Sequence, residues 1–127
     1  MNETIKSGLL ASGKYGSWSV EIEEITKGVQ TIFGIIITYS MITLQFSIKK
    51  LSTINDIVEL LSGENHTQYK VDNCLGGALY WIFDEGRLCI RQVTKGTLGE
   101  SELFEVMLSE VEWKSLKEAM KDALEDL

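Results

Sequence analysis

The stretch GVQTIFGIIITYSMITLQFSI, residues 28–48, contains no charged residue. A membrane-spanning helix needs about 20 mostly apolar residues, and this stretch is long enough. From Ile42 onward, however, apolar residues alternate strictly with Thr, Gln and Ser, and a period of two is typical of a strand with one buried face. The β-branched and aromatic residues before it favour another strand, buried on both faces, with Gly34 marking a bulge or a close backbone approach. The stretch therefore predicts two strands joined near residues 38–41 rather than a membrane span.

The segments on either side of this stretch have clear periodicities. Residues 17–24 alternate between apolar and polar, which predicts a first strand. After the apolar stretch, Ser52 or Thr53 can cap a helix that ends at Gly63. Its apolar residues recur at helical spacing, namely Ile54, Ile57, Val58 and Leu61.

The second half of the chain repeats this order. Residues 78–83 and 87–94 predict a hairpin whose turn is Asp84-Glu85-Gly86, with the glycine at the left-handed position. Residues 104–108 predict a sixth strand. A capping box at Ser109 and Glu112 begins a C-terminal amphipathic helix.

The resulting fold prediction is a single α+β domain over residues 1–127, mainly antiparallel sheet, in the order βββα-βββα with the helices packed on one face. Residues 1–14 are predicted to be a flexible tail, and residues 64–73 and 95–101 are predicted to lie outside strands. Whether the two halves are a true duplication stays open at this point.

Composition restricts the classes of partner. Nineteen acidic against twelve basic residues give a formal charge of −7, which repels polyanions at long range and disfavours nucleic acid as a partner. The first residues lack the pattern of a secretory signal, so we expect a cytoplasmic protein with reduced thiols at Cys74 and Cys89. No phosphate-binding loop or metal-ligand spacing is present, and we expect no cofactor and no metal.

Catalytic candidates are few in this sequence. His66 is the sole histidine and lies in a polar segment, where a plain surface residue is the simpler interpretation. Cys74 precedes Leu75 and a glycine pair, which suits a bend into the next strand better than a nucleophile site. Cys89 lies within the predicted hairpin, where we expect it to pack. The sequence therefore favours a non-catalytic protein.

Two groups of charged residues are candidates for an interaction surface. Acidic residues lie on the outer face and at the end of the predicted first strand, and others lie before and within the predicted sixth strand. If those strands approach each other, these residues form an acidic plate for a basic protein partner: Glu21, Glu23, Glu24, Glu100, Glu102 and Glu105. The alternative is a small basic-aromatic strip on which single-stranded nucleic acid could stack, formed by Arg87, Arg91 and Lys95 with Tyr80 or Trp81.

The stretch LSEVEWKSLK, residues 108–117, resembles the strand-to-helix junction of the single-stranded-DNA-binding transcriptional coactivators and the related Whirly proteins. The resemblance implies a curved antiparallel sheet that binds single-stranded DNA. The chain departs from that family on its first three strands, which carry Thr, Gln, Ser and Glu where such a surface would need Lys and Arg.

The sequence thus predicts a non-catalytic protein-binding module whose acidic surface holds a basic partner, in the manner of small immunity-type inhibitors of basic nucleases. A homodimer is compatible with this prediction. A single-stranded nucleic-acid-binding protein is the alternative.

Overall fold

The computed structural model describes residues 5–62, 68–74 and 76–127. Within them the chain forms eight strands and two helices: β1 (Ile5–Tyr15), β2 (Trp18–Lys27), β3 (Gln30–Tyr39), β4 (Ile42–Ile48), α1 (Ser52–Ser62), β5 (Gln68–Asp72), β6 (Ala78–Asp84), β7 (Arg87–Gly96), β8 (Gly99–Leu108) and α2 (Glu110–Glu125). Strands β1–β4 form one antiparallel meander, the N-terminal sheet, and β5–β8 form another, the C-terminal sheet. The α+β class and the antiparallel pairing are therefore confirmed.

The predicted order of three strands and a helix, twice over, is wrong by one strand in each half. β1 occupies most of the predicted flexible tail, and β5 lies in the segment predicted to be a loop. In β1 only Ala11 and Gly13 are buried, so the buried positions hold residues too small to produce a hydrophobic alternation. In the predicted flexible segment 95–101, β7 and β8 continue to a tight turn between Gly96 and Gly99.

The residues of the apolar stretch form β3 and β4, as predicted. The turn between them lacks Gly, Asn and Asp, and Ser40 takes up the left-handed conformation (φ 52°) that the tight turn requires. No helix among the described segments is long and apolar enough to cross a membrane.

Each sheet has one face in the core, called here the inner face, and one outer face. Along β2 the inner residues Trp18, Val20 and Ile22 are buried, and the residues between them are half-buried. In the C-terminal sheet Trp81 is fully buried, and its ring meets that of Phe46 from β4 edge-on, with 6.5 Å between the ring centroids. The two sheets therefore share one core.

Helix α2, at the end of the second half of the chain, packs on the inner face of the N-terminal sheet, mainly on β1 and β2. Its start has the predicted capping box, because the Glu112 N–H donates to Oγ of Ser109 and the Ser109 N–H donates to Oε1 of Glu112 (2.9 Å). The backbone hydrogen bond from Ser109 is the largest cause that lowers the pKa of Glu112. Farther along, α2 lies directly on β1 at Gly13.

The end of α2 also covers part of the open edge of β1. The Ser12 N–H donates to Oδ2 of Asp126 and the Lys14 N–H donates to Oδ2 of Asp122, each at 2.9 Å. These two amides point away from β2, so two side chains of the helix supply the acceptors that a neighbouring strand would otherwise supply.

Candidate protein-binding surface

The outer face of the N-terminal sheet is the surface on which we place the candidate site. Successive side chains of a strand point to opposite faces, so the residues between the buried ones share this face. On β2 these are Glu21, Glu23 and Ile25, and the register pairs them with Ile36, Gly34 and Ile32 of β3. We call these six residues the acidic face; α2 packs on the opposite side of the sheet.

A hollow of about 400 Å³ lies over Gly34 on the acidic face. Any side chain at this position would project into the hollow: an added Cβ would lie 3.2 Å from Cδ1 of Ile25 and 3.7 Å from Oε2 of Glu23. β3 has no bulge at Gly34, so the glycine provides space above the sheet rather than a kink in the strand. The hollow is lined by Glu23, Ile25, Gly34, Ile36, Gln45, Phe46, Ser47, Asn73 and Gln92.

The carboxylates of the acidic face have no internal counterion among the described residues. No Lys or Arg nitrogen there lies within 4.0 Å of Glu21 or Glu23. Glu23 stands beside the hollow, whose walls combine apolar side chains with amide and hydroxyl groups. This combination suits a long cationic side chain, because its stem can lie on the isoleucines while its charged head reaches the carboxylate.

The other predicted acidic residues are not part of this face. Glu24 follows Glu23 on β2 and therefore points to the opposite side of the sheet. Glu100, Glu102 and Glu105 lie on β8 in the C-terminal sheet, and β8 does not pair with β2. The structure thus places Glu21 and Glu23 on one face of the N-terminal sheet and does not bring the six predicted glutamates together in one plate.

The predicted basic-aromatic strip is divided between the two faces of the C-terminal sheet. Trp81 lies on the inner face with no exposed surface, so it cannot stack on a base. Tyr80 and Arg91 are opposite each other on the outer face. Their polar atoms contact carboxylates, because the Tyr80 hydroxyl donates to Oε1 of Glu100 (3.1 Å) and Nε of Arg91 lies 3.8 Å from Oε1 of Glu102.

The remaining two basic residues of the strip are also opposite acidic residues. Arg87 pairs with Asp84 across the hairpin, and Lys95 pairs with Glu100 on β8. Cross-strand neighbours of opposite charge partly neutralise one another. The outer face of the C-terminal sheet is therefore a mixed surface rather than a basic one.

A second depression, of about 450 Å³, lies where the two sheets meet. Next to it the Ser47 N–H donates to the side-chain oxygen of Asn73 (3.1 Å), and the Cys74 N–H donates to the Ser47 carbonyl (2.9 Å). These bonds join the edge strands β4 and β5 at one end. The depression lies between β5 and the segment that joins β4 to α1.

Neither cysteine forms a disulfide, and both are half-buried. Burial is the largest cause that raises the pKa of the Cys89 thiol, and Glu105 raises it further, so the thiol stays protonated and a weak nucleophile at neutral pH. His66 lies outside the described residues. Among the residues that are described, no group of His, Cys, Asp and Glu side chains could hold a metal ion.

Comparison of the sequence with protein-family models and with curated proteins finds no match.

Proposed function

We propose that this protein is a non-catalytic binding module that holds a basic protein against the acidic face of its N-terminal sheet. The observation that supports the proposal is the pair Glu21 and Glu23 on the acidic face, which have no counterion among the described residues. Glu23 also lines the hollow over Gly34. A partner's Arg or Lys side chain would supply the missing charge and fill the hollow. Such a module fits a small immunity-type inhibitor that covers the basic surface of an enzyme such as a nuclease in the cytoplasm.

Reversal of the two carboxylates tests the proposal. We expect E21K/E23K to reduce capture of the native partner from cell lysate at least about tenfold, because like charges across an interface cost several kcal/mol. Capture is measured by quantitative mass spectrometry of the proteins retained on the immobilised chain, and the nucleic acid retained is measured in the same eluate.

The matched control is E59K/E125K, which changes the net charge equally at two exposed helical positions outside the acidic face. We expect it to retain the partner. A further variant, G34V, fills the hollow without altering the charge. The Ile25 side chain, whose Cδ1 would lie 3.2 Å from the added Cβ, must move slightly, and we expect the variant to fold but to lose the partner. Equal capture by E21K/E23K and E59K/E125K would show that no specific acidic face exists.

Single-stranded nucleic acid remains a second candidate because of one row of residues on the outer face of the C-terminal sheet. Lys70, Tyr80 and Arg91 lie side by side across β5, β6 and β7, and Nζ of Lys70 is 5.8 Å from the centroid of the Tyr80 ring. Tyr80 is half-buried, and an aromatic ring between two cations is an arrangement on which a base can stack. The face also belongs to an antiparallel sheet followed by a helix, as the resemblance to the Whirly proteins implies.

A salt titration decides on this second candidate. A fluorescent oligonucleotide should bind at low salt and weaken with a logarithmic slope of about 2 for three basic contacts. Arg91→Ala should abolish that binding, whereas Lys117→Ala on α2 should leave it unchanged. An absence of binding even at the lowest salt concentration would remove the candidate.

A further inference from the structure

The first half of β1 is an open sheet edge with apolar side chains. Ile5 and Leu9 are 62% and 63% exposed, and no described strand or helix pairs with the outer edge of β1 along residues 5–9. The covered part of the edge begins at Ser12, where Asp126 accepts the amide hydrogen. One stretch of the strand is therefore protected by α2 and the adjoining stretch is not.

The direction of the backbone groups on this open stretch follows from the register. The Ser12 and Lys14 amides point away from β2, so the residues that bond to β2 alternate with them. The register shifts by one residue between Leu9 and Ala11. Below this bulge, Ile5, Ser7 and Leu9 direct their N–H and C=O groups to the open edge.

We propose that this edge pairs with the same edge of a second copy of the chain, antiparallel and with the two-fold axis at Ser7. Ser7 is the middle one of the three outward-directed residues, so Ser7 of each copy exchanges both main-chain hydrogen bonds with the other. Ile5 of each copy then lies opposite Leu9 of the other, on one face of the extended sheet. Two N-terminal sheets become one continuous eight-stranded sheet.

Charge complementarity on the other face supports this register. Lys6 of one copy lies opposite Gly8 of its partner, and Gly8 is the neighbour of Glu24 on β2. Gly8 has no side chain and nothing lies within 4 Å of the position its Cβ would take, so Lys6 can extend across it. Lys6 of one copy and Glu24 of its partner are then two strand spacings apart, roughly 9.5 Å, a distance that the combined length of the Lys and Glu side chains spans. The two-fold axis produces this ion pair twice.

Cysteine cross-linking tests the position of the axis. In a C74S/C89S background, S7C should form a disulfide-linked dimer under mild oxidation, because directly opposed residues have Cα atoms about 5.5 Å apart, within the range of a disulfide. The matched control is S12C, which changes an exposed serine on the same strand at the part of the edge that α2 covers. We expect S7C to cross-link at least tenfold faster than S12C.

Charge exchange tests the pairing independently. Sedimentation velocity over a range of concentrations should show a dimer of the wild type. The dissociation constant of the dimer should be at least tenfold higher for K6E, and K6E/E24K should recover the wild-type dissociation constant. S7P, which removes an outward-directed N–H without removing a bond to β2, should be monomeric. Equal cross-linking of S7C and S12C, a monomeric wild type, or a K6E/E24K variant no better than K6E would each overturn the proposal.

Discussion

Trp81→Ala is expected to lower the free energy of unfolding by about 3–5 kcal/mol, the range found when a large aromatic side chain is deleted from a core. Trp81 has no exposed surface, and it contacts Phe46 of the other sheet, so its removal opens a cavity at the junction of the two sheets. Chemical denaturation monitored by circular dichroism measures the change.

Trp81→Phe is the control for this prediction. Nε1 of Trp81 is buried and has no hydrogen-bond partner among the described residues, so phenylalanine loses packing but also removes an unsatisfied donor. We expect Trp81→Phe to cost less than half as much as Trp81→Ala. A small effect of Trp81→Ala, with both sheets intact, would contradict the shared core.

Gly13→Ala is the second change for which we expect a large effect. An added Cβ would collide with the backbone of α2, at the N atom of Ala123 and the O atom of Ala119. A backbone cannot rotate out of the way as a flexible side chain can, so the helix must shift as a whole. We expect a loss of about 3 kcal/mol, at the upper end of the usual cost of overpacking.

Gly96→Ala is the matched control, because the added Cβ would meet only the Gly99 carbonyl oxygen, at an ordinary contact distance of 3.7 Å. Its effect on the denaturation midpoint should be small. The shift of α2 in Gly13→Ala should also weaken the hydrogen bonds that the Ser12 and Lys14 amides donate to Asp126 and Asp122. These two amides should therefore exchange their hydrogens faster than in the wild type. Unchanged stability and exchange would show that α2 does not lie on β1.

The strands that sequence reasoning predicted are those with a large apolar residue at every second position. In β2 and β4 the inner face is filled by Trp18, Ile22, Leu44 and Phe46, and the alternation is visible without any structure. The capping box at Ser109 likewise indicated the start of α2.

The two missed strands lack this signal for physical reasons. β1 is covered by a helix so closely that its inner positions require small residues, Ala11 and Gly13, and small residues carry no hydrophobic pattern. β5 is short, and among its inner positions only Val71 is buried. The close packing of β1 could have been suspected only from the position of a helix more than a hundred residues away.

The sequence predicts which residues of one strand share a face of the candidate site, but it does not predict which strands lie side by side to form the surface. The alternation along β2 placed Glu21 and Glu23 together correctly. Whether β8 lies beside β2 depends on the division of the strands into two sheets, which no single strand indicates. The same division pairs β8 with β7 and brings its glutamates opposite Arg91 and Lys95. The sequence indicates an irregularity at Gly34 within an apolar strand. It does not indicate the hollow, because the walls of the hollow also include side chains from β2 and β4.

The placement of α2 on β1 has a consequence for the time course of folding. The hydrogen bonds from Ser12 to Asp126 and from Lys14 to Asp122 join residues 114 and 108 positions apart, almost the whole length of the chain. Contacts over such separations close large loops and form slowly. A nascent chain emerging from the ribosome therefore presents β1 long before the helix that covers it has been synthesised, and β1 stays a template for unwanted pairing until α2 has emerged.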